Sequence, residues 1–556
     1  MRAAVLAEGR SPPLAQRRSS RLPARHARPA LARPRRRARR LRAHLLRNLF
    51  EGGDPSAWIE ESTDCADLIR WLQAQGAANQ QVALRGGSSG GDATTALRGL
   101  RAVRALTGGS VAASIPEALV VTPQVARAAL ADTDTDVALL SDWDAVVLFL
   151  ARGRRGCADG EPRDATWGPY VCSLPACVGT VLEVAACCPE ALSVLAGASC
   201  TDTALGVLQS FLTSFEATTA ADAGAAEPPP VEDIIWAHAI MLSRAALLPG
   251  LPGGGPALLP WLDMANHAPA GADAPAQGPF ALTPRRGSIP DNRYFEYDAS
   301  SSAVLLRAPT RGLRGGDELT IDYGGGKTQL DMLLLYGFLP RAGSEGAQAP
   351  LPSDACMLAL PPLSGGDSVE VPLRMGALLP AGALAAAAAR GLGDANVARK
   401  DDGVLSLRER AAAWGVLASA ARDQQSRYPR SLKDDRELFE LAESALAEAR
   451  DARAGAASDG AVTASPLVGR GADAAVVRAS VEQAVRVLSV RERGSSASDV
   501  ASMLRRLASS ADSGEGVLAF SRDALDGLVR ERVVLNGAEA RIAKTMRAVK
   551  LEMRRG

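Results

Sequence analysis

The chain has 556 residues, enough for two or three domains around a large buried core, with 63 basic against 62 acidic side chains and a net charge of +1. That balance is uneven: residues 1–47 hold 15 arginines and one acid, Glu8, so taking their +14 from +1 leaves −13 on the remainder, an acidic body that excludes non-specific nucleic-acid binding. Eight cysteines without a C-x-x-C pair and only four histidines exclude a zinc site of the usual spacing, and a chain this long is not expected to rest on a disulfide framework.

In chain order, residues 1–50 read as disordered or removable. The run "RRSSRLPARHARPALARPRRRARRLRAHLLR" is rich in Arg, Ala and Pro and poor in acids, the composition of an organelle transit peptide. The competing reading is a basic arm that binds nucleic acid or directs the chain to the nucleus. Apolar runs are short or broken by charge, so neither a secretory signal nor a membrane span is expected. Residues 51–76 read as a short helix stopped at Gly76, followed by a Gly/Ser stretch at 86–91. "TALRGLRAVRALTGGSVAASIPEALVVT" shows strand-like alternation with turn glycines and predicts a β-hairpin. Residues 123–215 read as helical, interrupted by a loop near 153–175 that ends in "WGPYVCSLP". Next, Pro228, Pro229 and Pro230 open a helix predicted over 231–247, with Glu232 and Asp233 favoured by the dipole of its first turn and Pro249–Gly250 ending it. Residues 250–340 alternate apolar runs with Gly/Pro turns and read as β-rich, and from about 350 the spacing is helical. The stretches 341–352 and 452–472 read as linkers.

Chemistry concentrates in 258–340. The chain has only six tyrosines, and four of them, Tyr294, Tyr297, Tyr323 and Tyr336, fall there, so they read as lining a site as well as packing a core. In "GGDELTIDYGGG" alternation puts Leu319, Ile321 and Tyr323 on one face and Thr320 and Asp322 on the other. Tyr323 then ends a buried strand before flexible glycines, where a phenol can stand at the mouth of a channel. A strand-end tyrosine taken alone is more often structural, as is a lone histidine beside an asparagine, and Arg244 by itself reads as a charge at a helix C-terminus.

"DMANH", "GDELTIDYG" and "LLLYGF" resemble the paired signatures of SET domains. In order upstream of them, "RGLRAVRALTGGSVAASIP" resembles the opening strand pair, "WGPYVCSLP" the W-x-P-Y motif of the helical insert, and "WAHAIMLSRA" its W-A…S-R-A helix. Taken together, these ordered motifs over residues 96–340 resemble the Rubisco large-subunit lysine methyltransferase-like branch, which is marked by a long insert and a helical C-terminal third. The resemblance implies an α+β fold: a β-rich SET core over 94–340 with a helical insert at about 126–249, followed by an all-α substrate-binding domain over 350–556. The segment 51–93 would be a helical lead-in and linker.

The implied activity is S-adenosylmethionine-dependent methylation of a protein lysine, on a plastid protein such as Rubisco large subunit or aldolase. Tyr323 matches the catalytic tyrosine. Leu97, Arg98, Gly99, Arg244, Asp263, Asn266 and His267 match cofactor-contacting positions, His267 not as a general base. Tyr294 and Tyr336 match the walls of the lysine channel. No metal is implied, nor nucleic acid or membrane, and the chain is expected to be a monomer that works in the chloroplast stroma, with the nucleus or cytoplasm as the alternative. One departure stands out: Leu97 occupies the first glycine of the usual G-x-G, where a side chain crowds the pocket. Two alternatives stay open: a protein-histidine methyltransferase of the same fold, and a non-catalytic SET-like scaffold that binds a partner.

Overall fold

The computed structural model describes residues 65–77, 80–86, 98–131, 133–155, 157, 166–225, 227–267, 295–323, 327–340, 354–363, 368–374, 381–393, 397, 405–456, 471–489, 495–509 and 514–555. The expected transit segment, Leu97 and Tyr294 lie outside them. The first helix, α1 (Ala66–Ala74), buries Leu68, Ile69, Trp71 and Leu72 and ends, as the sequence predicts, against a left-handed Gly76.

Strand pairing departs from the predicted hairpin. β1 (Val82–Gly86) runs antiparallel to β2 (Arg98–Ala102), and β2 does not pair with β3 (Val111–Pro116). Along its other edge β2 takes the segment around Glu318 instead: Leu319 N–H donates to Leu100 O at 2.7 Å and Ala102 N–H to Asp317 O at 2.8 Å. With both edges of β2 occupied, β3 joins β8 (Ala303–Arg307), which pairs in turn with β7 (Phe295–Asp298). Alternation was legible in the sequence here, but β1 takes one edge of β2 from upstream, and the segment at Glu318 and β8, which take the other edge and β3, lie some 200 residues on.

The insert is α2 (Pro123–Leu130), α3 (Asp142–Arg154), α4 (Gly168–Val171), α5 (Val181–Cys187), α6 (Thr201–Ala221) and α7 (Val231–Arg244). Reciprocal caps start α3, through Ser141 and Asp144, and α5, through Thr180 and Glu183. Helix α7 stops at Arg244, three residues short of the prediction, because β4 (Ala246–Leu247) is drawn into a ladder with β5 (Pro256–Ala257). His238, fully buried on α7, accepts from Trp143 Nε1 through Nδ1 at 3.2 Å and lies 3.3 Å from Ser214 Oγ, which itself donates to Asp144. The ring is therefore neutral with its proton on Nε2, and burial pushes its pKa down to about 4. A disulfide joins Cys157 to Cys172, tying the end of α3 to the end of α4, where no bridge was expected.

The described residues of 250–340 contribute short strands: β5, β6 (Asn266–His267), β7, β8 and β9 (Thr320–Ile321). A helix, α8 (Gln329–Tyr336), follows them. The region read as all-α opens with a hairpin, β10 (Ala355–Leu360) against β11 (Val369–Arg374), and only then becomes helical. Its helices are α9 (Ala381–Leu392), α10 (Leu407–Arg427), α11 (Leu432–Ala456), α12 (Ala474–Ser489), α13 (Ala497–Ala508) and α14 (Gly514–Arg555). Ser431 and Asp434, an S-x-x-D pair, cap α11 reciprocally, and Leu438 and Leu446 are buried. The amphipathic stretch "GAEARIAKTMRAVKLEM" is the last part of α14, which runs through Gly537 without a break. No helix among the described residues is long and apolar enough to cross a membrane.

These C-terminal helices share one contiguous buried cluster with the insert. Polar groups stitch the seam. Arg430 donates to Val194 O at 2.8 Å and pairs with Asp435, which Arg532 also holds. Glu531 on α14 accepts from Ser199 N–H and Oγ, both at 2.9 Å, and from the Tyr428 hydroxyl. Burial pushes the Glu531 carboxyl up to about 7.

Two opposite pH dependences follow. His238 is neutral when folded and takes a proton when unfolded, so it removes stability as pH falls from about 6.5 towards 4. Glu531 holds its proton when folded and has lost it when unfolded, so its contribution is full below about 4.5 and is lost as pH rises through about 7. Glu531→Gln should abolish the second and expose the first. Relative to its stability at pH 7, the variant should lose about 3 kcal/mol against the wild type by pH 4.5 in chemical denaturation. Parallel pH curves for the two proteins would contradict this assignment.

Candidate active site

The site begins with a strained turn. Trp261 sits at φ 77°, a region bulky residues avoid, and its indole is wholly buried, which holds the turn Leu262–Met264 in place. That turn delivers β6, which lies parallel to β9 with Asn266 opposite Thr320 and His267 opposite Ile321. Leu319 and Ile321 are buried, as alternation predicts, and the chain then reaches Tyr323.

Tyr323 is fixed at three points. Its N–H donates to His267 Nδ1 at 3.2 Å, its hydroxyl donates to Ala265 O at 2.8 Å, and its carbonyl accepts from the Tyr336 hydroxyl at 3.2 Å. An aromatic cage forms around it, with ring centroids 4.7 Å away at Tyr336, 5.2 Å at His267 and 6.3 Å at Phe338. Tyr336 ends α8, whose start is capped by Thr328 and Asp331 and whose end turns on Gly337 at φ 75°. A Cβ on Gly337 would fall 1.8 Å from Val178 O, so only glycine lets this turn pack on the insert. Lys327 reaches into the cage, its ammonium donating to Tyr323 O at 2.5 Å and lying 5.5 Å from the Tyr336 ring centroid.

Beside the cage lies a second, more polar group. Arg244 donates to Asp263 O at 2.7 Å, and Asp263 Oδ2 accepts from the Tyr170 hydroxyl at 2.6 Å. Two buried atoms here, Arg244 Nε and Asp263 Oδ1, have no hydrogen-bond partner. Asn266 Nδ2 donates to Glu318 Oε1 at 2.7 Å. Gly99 on β2 lies against both: a Cβ there would sit 2.5 Å from Asn266 Nδ2 and 2.6 Å from Glu318 Oε1. Arg98 spends its guanidinium on Cys65 Sγ and Ser173 O, leaving its backbone for any contact at the site.

Protonation states follow from burial. The Tyr323 phenol is pushed up to about 12 and that of Tyr336 higher still, so both stay protonated near neutrality. His267 is lowered by burial and is neutral, with Nδ1 already accepting from Tyr323. Burial raises Asp263 and, more strongly, Tyr170. The cage therefore presents two protonated phenols and a neutral imidazole as its wall, and none of the three is a free general base.

Of the residues singled out in the sequence, Gly99, Arg244, Asp263, Asn266, His267, Tyr323 and Tyr336 are brought together. Tyr297, counted with the clustered tyrosines, is not part of the cage: its hydroxyl donates to Glu117 at 2.6 Å on the β3–β8–β7 sheet. Sequence reasoning passed over Phe338, Tyr170, Glu318 and Lys327. The first three stand inside motifs already quoted, and Lys327 carries no local signal beyond lying four residues after Tyr323. No group of three or more His, Cys, Asp or Glu that could hold a metal occurs among the described residues. A cavity of about 440 Å³ lies elsewhere, in the insert between Leu130, Phe149 and Pro229, and its arginines Arg152 and Arg155 are paired with Asp222 and Glu227.

No family model matches the chain, and no curated protein does. Among solved structures it is similar to the SET domain of LSMT bound to lysine and AdoHcy, at 17% identity over 79% of this chain and 90% of that one, with a TM-score of 0.44. It is also similar to Rubisco LSMT bound to AdoMet, at 16% identity over 79% and 91%, TM-score 0.44. A third is Rubisco LSMT bound to sinefungin and monomethyllysine, at 17% over 80% and 92%, TM-score 0.45. Likeness this loose assigns no role to any residue.

Gly99→Ala tests the close approach directly. The added methyl must displace Asn266 or Glu318, and overpacking of this kind costs about 1–3 kcal/mol. Thermal denaturation should show the loss, and a melting curve superimposable on the wild type would mean that β2 is not pressed against Asn266.

Proposed function

We propose that the chain is an S-adenosylmethionine-dependent methyltransferase whose acceptor is the ε-amine of a lysine on another protein. One observation carries the reading: the Tyr323 hydroxyl is pinned to Ala265 O inside an aromatic cage, beside the Asn266–His267 pair. The motifs that suggested a SET domain are thus drawn to one place from positions up to about 240 residues apart, Gly99 to Tyr336.

The residues present fit the cofactor. Arg244 Nε and Asp263 Oδ1 are buried and unpartnered, and the bare Gly99 backbone lies against Asn266. With Asn266, these groups would hold a ligand carrying both an ammonium and a carboxylate. When bound, S-adenosylmethionine supplies a methyl group on a sulfonium.

The chain's own part is to prepare the amine. Because the Tyr323 hydroxyl gives its proton to Ala265 O, its oxygen lone pairs remain to accept an N–H from the acceptor. That contact turns the nitrogen lone pair along a fixed direction. Tyr336 and Phe338 exclude water, and desolvation lowers an amine from its ordinary pKa near about 10.4 towards the neutral, nucleophilic form. Orientation of this kind can supply an effective molarity of about 10⁵ M. With both phenols protonated and His267 Nδ1 engaged, the acceptor's proton leaves to solvent before transfer. In this reading the helices beyond residue 350 select the protein, and the Arg-rich start directs the chain to the chloroplast stroma. A fluorescent reporter carrying residues 1–50 should then enter plastids, and exclusively nuclear signal would favour the basic-arm reading.

Two variants separate the roles. Tyr323→Phe keeps the ring and removes one hydrogen bond, so stability should fall by about 0.5–1.5 kcal/mol, cofactor affinity should hold, and turnover should drop on the order of 10²-fold. Asn266→Ala should lose cofactor affinity first, about tenfold or more by calorimetry. Near-normal turnover in Tyr323→Phe would overturn the role given to the phenol.

A further inference from the structure

Lys327 is a lysine of the chain's own that enters the cage built for another amine. Its ammonium donates to the same carbonyl, Tyr323 O, that accepts the Tyr336 hydroxyl, and it stands 5.5 Å from the Tyr336 ring centroid. Among the described residues, these groups act on it. Asp322 lies before Tyr323, Asp331 lies on α8, and the rings of His267, Tyr323 and Tyr336 line the cage. Arg374 on β11 also interacts with Asp322. Tyr323, Tyr336 and His267 are uncharged near neutrality, so Lys327 brings the positive charge to the aromatic side of the site. Burial lowers its pKa from the ordinary lysine value, and Asp331 and Asp322 oppose that; its contacts, a carbonyl oxygen and the face of the Tyr336 ring, are those an ammonium makes.

We propose that Lys327 is the positioning and charge-setting residue of the cage: its ammonium clamps the Tyr323 carbonyl and repels a second cation, so that an acceptor lysine enters beside Tyr336 as the neutral amine. The chemistry is that of one amine depressing another. A fixed positive charge within about 4–6 Å disfavours protonation of its neighbour, and a water-poor site strengthens the effect. Lys327 Nζ stands 5.5 Å from the Tyr336 ring centroid, so an amine admitted against that ring comes within reach of its charge. The clamp also ties the lead-in to α8 back to the strand end at Tyr323. This inference rests on the methyltransferase reading but adds a demand that reading does not make.

The experiment compares wild type, Lys327→Arg and Lys327→Met, each first shown to be folded by its melting curve. The first readout needs no turnover. Binding of lysine amide, whose side chain is cationic at pH 7, to the cofactor-free protein is measured by calorimetry. Lys327→Met should bind this cation about tenfold more tightly than the wild type, and Lys327→Arg should not. The second readout is the pH profile of methyl transfer from S-adenosylmethionine to a synthetic lysine-containing peptide. The rate rises as the acceptor loses its proton, so removing the neighbouring charge should move the rising limb to higher pH by about one unit, the same tenfold effect. Lys327→Arg should keep the limb in place. Equal cation binding and an unshifted limb in Lys327→Met, in an enzyme that transfers methyl groups, overturn the inference and leave the reading standing. If the wild type transfers no methyl group to the peptide, the reading itself fails and this inference fails with it.

Discussion

Two residues of parallel pairing, Asn266–His267 on Thr320–Ile321, are the constraint on which the site depends. The pairing sets the residue before it, Ala265, to receive the Tyr323 hydroxyl, and its own second residue, His267, to receive the Tyr323 N–H. A one-residue slip of β9 would turn Leu319 and Ile321 out of the core and Tyr323 out of the cage. The register is held from both sides: by burial of Leu319 and Ile321, and by Leu319 N–H donating to Leu100 O on β2. That last bond also brings Gly99 up to Asn266, so the polar group and the aromatic cage are fixed by the same strand.

The helical insert and the C-terminal helices bear on the site through contacts that reach it indirectly. Tyr170, on the short helix α4 tied by the Cys157–Cys172 bridge, holds the Asp263 side chain. Leu330 on α8 packs on Gly527 of α14, where a Cβ would meet its side chain at 2.6 Å, and Gln329 donates to Gly527 O at 3.3 Å. Since α8 also carries Tyr336, the long C-terminal helix helps to fix one wall of the cage. The seam's ion pairs, Arg430 and Arg532 with Asp435, are buried and hydrogen-bonded, and breaking such pairs by removing one partner leaves an uncompensated charge.

Much of this was legible in the sequence because it is local. The helix at Ala66–Ala74 ends where Gly76 permits, α7 begins after its three prolines, and the faces of "LTIDY" follow strand alternation. What could not be read was partnership over distance. The predicted hairpin failed because β2 and β3 each find other strands, and nothing between residues 98 and 116 announces that. The β10–β11 hairpin was overlooked because the longer run after it is Ala- and Leu-rich at helical spacing, although Pro361, Pro362, Gly365 and Gly366 mark a turn between its strands. At the site, the clustering of tyrosines overstated the cage. Tyr323 and Tyr336 belong to it, Tyr297 serves the neighbouring sheet, and Phe338, a residue without a hydroxyl, completes the wall. Lys327 was invisible because an isolated lysine after glycines looks like a solvated charge until its burial is seen.

The central claim is that this cage prepares a lysine amine on another protein for methylation. The most direct measurement is chemical identification of the product. The full-length chain is incubated with S-adenosylmethionine labelled in its methyl group and with a chloroplast protein extract, and the labelled protein is hydrolysed to amino acids. The account predicts label in Nε-methylated lysine, absent when Tyr323→Phe replaces the wild type. Label in methylhistidine, or protein that remains unlabelled, would contradict it.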